Sequence, residues 1–330
     1  MCRNSGAIIR RDRGYKMSNV SIREADRVEI TILTDNYTDM LTIQGSDVIR
    51  RPQIRPPNAL YAEHGLSCLV RVTAGTDEHV LLMDAGITPG CLIHNTGLLH
   101  IDPGWIEAVM LSHGHFDHFG GLAGFPAWLH PGTPLILHPD AFLPRRLNNP
   151  AIGPPVEIPA LDEAILCKTG ADVHQSRSPV PLASGLLLTT GEVDRITPFE
   201  KGFPLAEAKI DGNWVVDPFH DDPGLVASVK GKGLVVISGC AHAGIINTVG
   251  HAKKMTGTGK VHAVLGGFHL TGPLFDPIIQ PTIDEMKRIN PDYLIPMHCT
   301  GWKAINGFAA AMPRQFILNT VGTTYVFTGT

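Results

Sequence analysis

Long apolar runs are missing from this chain, and no stretch approaches the roughly 18 residues that a membrane-spanning helix needs. Blocks of like charge are missing too. The formal net charge is −4 and the basic residues are scattered, which excludes the electrostatic footprint of a nucleic-acid binder. The one basic cluster, Arg50, Arg51 and Arg55 among prolines, reads as a solvated loop. Cysteine is sparse: Cys2, Cys68, Cys91, Cys167, Cys240 and Cys299 are widely spaced, with no C-x-x-C pair. The basic, polar start of the chain has no apolar signal segment, so reduced thiols and a cytoplasmic location are expected. Charged residues, at 18%, fall under the roughly 25% of typical soluble domains, while 43% hydrophobic residues supply a large interior. The partner these absences leave is a small-molecule substrate, with no nucleic acid and no membrane; self-association stays open.

Glycine (35) and proline (26) are plentiful, which predicts short elements and many turns. Residues 1–21 read as a disordered leader, with Met17 an alternative start, and 22–330 as a single domain. Strands are expected over Val28–Thr34, Leu66–Val72 and His79–Met83, the last two joined by an Ala74–Asp77 hairpin turn. Further strands are expected at Ala108–Leu111, Pro134–His138, Gly185–Thr190, Gly233–Ser238, Val261–Leu265, Tyr293–Met297, Phe316–Leu318 and Tyr325–Phe327. Helical spacing covers Phe119–Leu129, Ile245–Met255, Pro277–Ile289 and Trp302–Met312. Strands alternating with helices place the chain in the α/β class. The proline-rich stretch near 139–160 is too long for a plain connection and reads as an insertion or lid.

Chemistry concentrates in Leu111–Gly121, where His113, His115, Asp117 and His118 directly follow an apolar strand. Imidazole and carboxylate are the donors that zinc, manganese and iron accept. His113 and His115, two apart, point the same way on an extended segment, whereas adjacent Asp117 and His118 would diverge. The chain is therefore expected to bend into a helix start and to offer one pair to each of two metals. Three later histidines also sit beside glycine at strand ends: His242 in Gly239–Gly244, His269 in Gly266–His269, and His298 in His298–Gly301. A lone histidine of this kind is usually structural, but four such strand ends in one chain point to ligation. Asp84 ends its strand ahead of Ala85–Gly86, well placed to orient a neighbouring ligand. His64, His79, His94, His100, His130, His138, His174, His220, His251 and His262 lack this setting and read as surface or core residues. His220 beside Asp221–Asp222 is the least secure of them.

His-x-His-x-Asp-His after a hydrophobic strand, Asp84 one strand earlier and histidines at later strand ends resemble the metallo-β-lactamase superfamily. Gly239–Gly244, Gly266–His269 and His298–Gly301 further resemble the subgroup named for dihydropterin-ribofuranosylaminobenzene-phosphate synthase, most of whose members are predicted hydrolases. The resemblance implies a four-layer αββα sandwich, two mixed sheets face to face with helices outside, and a dinuclear site along one edge. It implies that His113, His115 and His242 bind one metal, that Asp117, His118 and either His269 or His298 bind the other, and that Asp84 accepts a hydrogen bond from a ligand. Most relatives end the strand comparable to Gly233–Ser238 in Gly-Asp, whose carboxylate bridges the metals. Here it runs into Gly239–Cys240, so Cys240 as thiolate, His242, or a solvent ligand must serve that corner; the expectation favours His242.

Two metals about 3.5–4 Å apart can bring the pKa of a shared water towards 7 and polarise a substrate oxygen. The expected activity is therefore hydrolysis of an ester, lactone, thioester or phosphoester by a metal-bound hydroxide, with Asp117 and His118 catalytic. One alternative is a synthase condensing a dihydropterin diphosphate with a phosphorylated aminobenzene riboside; another is a non-catalytic metal-binding sensor or scaffold. Two divalent ions are expected, zinc foremost, with manganese and iron compatible. Phe116, Phe268 and Trp302, next to these motifs, are candidate pocket walls.

Overall fold

Strand alternation sorts the apolar side chains onto two faces, and in this protein both faces are used. A computed structural model describes residues 20–330 apart from 164, 165, 167 and 168; residues 1–19 of the leader expected over 1–21, with Cys2, and Cys167 lie outside the described residues. In Gly233–Ser238, Val235 and Ile237 point to one side and Leu234 and Val236 to the other. The first pair joins a core shared with Val28, Ile30 and Ile32 of Arg27–Thr34 and with Val70 and Leu81. The second pair packs under helices, against Val249, Ile283 and Phe308.

The outcome is two sheets packed face to face. One has eight strands, ordered Asp172–Gln175, Pro134–Leu137, Ala108–Met110, Asp77–Met83, Ser67–Ala74, Arg27–Thr34, Thr324–Thr328 and Ile49–Arg50. The other has seven, running Pro181–Leu182, Leu187–Thr189, Leu225–Val229, Gly233–Ser238, Val261–Gly267 and Tyr293–Met297, with Glu24–Ala25 paired to Leu225–Val229. Helix Pro89–Leu98 covers the outside of the first sheet through Leu92, together with Phe119, Leu122 and Phe125. Helices Ile245–Thr256, Asp276–Ile289 and Trp302–Ala311 cover the second. The expected αββα sandwich is thus the architecture found.

Both sheets are mixed, and their parallel strands decide where the site lies. Asp77–Met83, Ala108–Met110 and Pro134–Leu137 are mutually parallel, as are Gly233–Ser238, Val261–Gly267 and Tyr293–Met297. Parallel strands deliver their C-terminal ends, and the residues that follow, to one edge. Asp84, His113, Cys240, His269 and His298 all follow such ends within three residues.

Three local expectations are corrected. Phe119–Leu129 is a 3-10 segment, Gly120–Ala127, after a single helical turn at Phe116–Phe119. Its backbone runs against the Ala85–Ile87 loop so closely that a Cβ on Gly121 would lie 2.0 Å from the Ala85 carbonyl oxygen. Phe316–Leu318 makes only a single bridge to Leu294, because the chain turns off the sheet edge there. Gly185–Thr190 shortens to Leu187–Thr189, since Ala183–Gly185 turns with positive φ. The proline-rich stretch contributes Arg145–Leu147 and Val156–Ile158 to a four-stranded sheet with Ala206–Ile210 and Asn213–Val216. Helix Pro89–Leu98 and strand Leu225–Val229 had no clear sequence signal.

Leu265 is fully buried between the sheets. Its replacement by alanine is expected to lower stability by about 2–5 kcal/mol, read from the midpoint of urea unfolding.

Candidate metal centre

The edge built by the strand ends is organised by a buried carboxylate. Asp84 follows Met83 with φ 59, a left-handed conformation that Asp tolerates better than most residues. Its Oδ1 accepts the Ser112 backbone N–H at 2.7 Å, and its Oδ2 accepts the Ser112 hydroxyl at 2.7 Å. The same Oδ2 lies 2.7 Å from His118 Nδ1. An ionised carboxylate can only accept, so His118 carries a proton on Nδ1 and turns Nε2 outward. Burial opposes the imidazolium of His118, but Asp84 and Asp117 outweigh it and bring its pKa up to about 9, so a metal bound at Nε2 would displace a proton from it.

Around His118 Nε2 three further donors converge. Cys240 Sγ lies 3.2 Å away, His298 Nε2 3.2 Å and Asp117 Oδ2 3.7 Å, and His298 Nε2 is 3.3 Å from Asp117 Oδ2. Nitrogens bound tetrahedrally at zinc's usual 2.0–2.1 Å stand about 3.3 Å apart, so these spacings fit a shared ion. Ligand atoms of Asp117, His118, Cys240 and His298 all lie within 4.8 Å of one another. Those of His113, Cys240 and His242 form a second such group, and His115 Nδ1 is 3.2 Å from His242 Nε2.

The second group is tested by its unpaired nitrogens. His113 Nδ1 lies 2.9 Å from the Ser112 hydroxyl, but His113 Nε2 is buried with no hydrogen-bond partner among the described residues, and so is His242 Nδ1. A buried polar atom without a partner is costly, and a metal ligand is one resolution of that cost. Burial, then the neighbouring imidazoles, hold His113 and His242 well below the ordinary imidazole value, and burial followed by Arg145 brings His115 down to about 3. Neutral imidazole is the form that binds a metal.

Buried braces position both groups. Asp221 Oδ2 accepts the Gly114 N–H at 2.9 Å, between His113 and His115. Arg145, from the proline-rich stretch, donates at 2.6 Å to both Asp221 and Asp217. Gly114 must be glycine, since a Cβ would lie 2.0 Å from the Ala141 carbonyl oxygen. Asp222 accepts the Ala243 N–H at 2.8 Å, beside His242. On the far side, Asp35 accepts the His298 N–H at 2.9 Å and the Asn319 amide at 2.7 Å.

The structure thus brings His113, His115, Asp117, His118, His242, His298, Cys240 and Asp84 to one edge. Of the two histidines left open as the last member, His298 sits beside Asp117 and His118; His269 groups with Cys240 and Cys299. Phe268 is corrected from pocket wall to core, 2% exposed and packed on Phe308, because it lies on the helix-covered side of its strand with Val264. Trp302 points to solvent at 73% exposure, and Phe116 packs against the core outside the first sheet. Phe219, stacked on His242 at 4.2 Å, is the aromatic contact that sequence did not indicate. His64, read from sequence as surface or core, lies with Nε2 3.6 Å from Asp117 Oδ2 and its side chain largely exposed. The pairing joins segments 53 residues apart in sequence, and only His64's proximity to the site could have shown it.

Comparison with known proteins shows the family and the fold that present this edge. Residues 61–208 match the model of the metallo-β-lactamase superfamily. Over 260 residues the chain is 34% identical to 7,8-dihydropterin-6-methyl-4-(β-D-ribofuranosyl)-aminobenzene-5′-phosphate synthase of Methanocaldococcus jannaschii, covering 78% of this chain and 87% of that protein. It is also 34% identical to an uncharacterized protein of the same organism, over 79% of this chain and 93% of the relative. Among solved structures, Tm1679, a metal-dependent hydrolase of the β-lactamase superfamily, superposes with a TM-score of 0.71 at 22% identity, over 91% of this chain and 99% of its own. Among the described residues no helix is long and apolar enough to cross a membrane.

Two substitutions probe the braces. Arg145→Ala strands Asp217 and Asp221 in the interior and is expected to cost about 3–5 kcal/mol in thermal or urea unfolding. Asp84→Asn suits the left-handed backbone but loses the charged acceptor; zinc affinity, measured by chelator competition, is expected to fall about 10–100-fold.

Proposed function

The chain belongs to the metallo-β-lactamase superfamily, and on that premise we propose that it is a dinuclear metal-dependent hydrolase of a small-molecule ester, lactone, thioester or phosphoester. The observation that carries this reading is the convergence of two donor groups on Cys240: His113 and His242 on one side, Asp117, His118 and His298 on the other. His115, 3.2 Å from His242, adds a further imidazole to the first group. The mixed nitrogen, oxygen and sulfur set favours zinc, while manganese and iron accept most of the same donors. Two divalent ions held there would supply Lewis acidity toward a substrate oxygen and would acidify water at neutral pH.

The remaining work falls to the chain's own residues. Asp117 is held well below the usual carboxylate range: burial opposes its ionisation, but His118 and His298 outweigh that. As a carboxylate it accepts a hydrogen bond from an attacking water and fixes its direction. His118, oriented by Asp84, keeps the ligating edge in register with Asp117. His64, largely exposed and 3.6 Å from Asp117, would be the side chain to hydrogen-bond the substrate or its leaving group.

A second reading is supported by the identity to the synthase of M. jannaschii over 87% of that protein. In it the same groups would bring a dihydropterin diphosphate and a phosphorylated aminobenzene riboside together, with the aromatic acceptor in place of water. The two readings share an activated electrophile and differ in what attacks it.

The test is turnover by the zinc- or manganese-loaded protein on ester, lactone, thioester and phosphodiester substrates, beside the pterin and aminobenzene pair. Hydrolysis that stops with a chelator, returns with metal, and falls about 10²–10⁴-fold in Asp117→Asn is expected. Condensation without hydrolysis would select the second reading. Metal-loaded protein inert on every substrate would leave a non-catalytic metal binder and overturn both.

A further inference from the structure

We propose that Cys240, His269 and Cys299 form a third, sulfur-rich site that takes a thiophilic divalent ion, sharing Cys240 with the two groups assigned to the hydrolytic centre and adding His269 and Cys299. One ligand atom from each of the three lies within 4.8 Å of the others. Neighbouring parallel strands supply them: Cys240 follows Gly233–Ser238, His269 follows Val261–Gly267, and Cys299 follows Tyr293–Met297. Cys240 and Cys299 are both buried, and the Cys299 sulfur reaches to 3.6 Å from the Cys240 carbonyl oxygen.

His269 is the observation that points to a ligand. With His298 beside Asp117 and His118, His269 has no place in that group. Its Nδ1 is buried and has no hydrogen-bond partner among the described residues. Phe203, Phe275 and His242 pack around its ring at centroid distances of 5.3, 4.8 and 4.2 Å. An imidazole held this way is poorly satisfied as a structural residue and well suited to a metal.

Two sulfurs and one imidazole select zinc or another thiophilic ion over magnesium and calcium. Three protein ligands also leave a fourth position for an exogenous ligand. Binding releases the thiol protons of Cys240 and Cys299 to solvent, and the two thiolates neutralise the charge of a zinc ion. No electron is transferred. Cys240 is the common corner of all three groups, so its thiolate would bridge this site and the hydrolytic centre.

The experiment is the zinc content of the full chain, measured by elemental mass spectrometry after equilibration with excess zinc and gel filtration. Wild type is expected to hold three equivalents, and Cys299→Ala and His269→Ala two each. Two variants at separate strand ends guard against misfolding in one of them, and circular dichroism checks both. Two equivalents in wild type that persist in Cys299→Ala would overturn the third site and leave the two-group reading standing. One equivalent that Cys299→Ala abolishes would uphold this site and overturn the two-group reading instead. Three equivalents retained in both variants would also overturn the proposal.

Discussion

The arrangement depends on the contact between the Asp84 carboxylate and His118 Nδ1, 2.7 Å apart and fully buried. A carboxylate removed from water needs compensating donors, and Asp84 finds three, the N–H and hydroxyl of Ser112 and the ring of His118. Those donors belong to the strand end and the helical turn that flank His113 and His115. One ionised group therefore ties two strand ends together and fixes which nitrogen of His118 faces the other donors. Loss of that tie would free the loop to present its imidazoles in other directions.

The edge also holds strained backbone. Asp84, Ala241, His269 and His298 all adopt positive φ, a conformation that side chains beyond glycine hold only when the surroundings impose it. Here the surroundings are the two sheets. The strands that end at these residues are buried on both faces, between the inter-sheet core and the helix-covered layers. Rigid strands deliver the donors, while the short connections after them absorb the strain that aims those donors inward. Arg145 with Asp217 and Asp221, and Asp35 with Asn319, extend the support from opposite sides.

Much of this was legible in the sequence because the relevant groups are close along the chain or repeat a pattern. His113, His115, Asp117 and His118 fall within six residues, and Cys240, His242, His269 and His298 each follow an apolar run ending in or near glycine. The same regularity marked the central strands and the amphipathic helix Asp276–Ile289. What stayed hidden depends on distant segments meeting. His64 resembles any surface histidine until Asp117 is seen 3.6 Å away. Arg145 sits in a three-residue strand amid prolines, where no periodicity can announce it. The choice between His269 and His298 was undecidable from spacing, since both follow strands of the same sheet. Phe268 and Phe203 show the converse: adjacency in sequence to a histidine put the first beside the site, and packing put the second there.

The central claim is that two donor groups meeting at Cys240 hold divalent ions. It is tested most directly by a crystal structure of the zinc-loaded protein with anomalous diffraction recorded on both sides of the zinc edge. The account predicts one anomalous peak among His113, Cys240 and His242 and another among Asp117, His118, Cys240 and His298. Zinc found only away from these residues, or none at this edge, would contradict it.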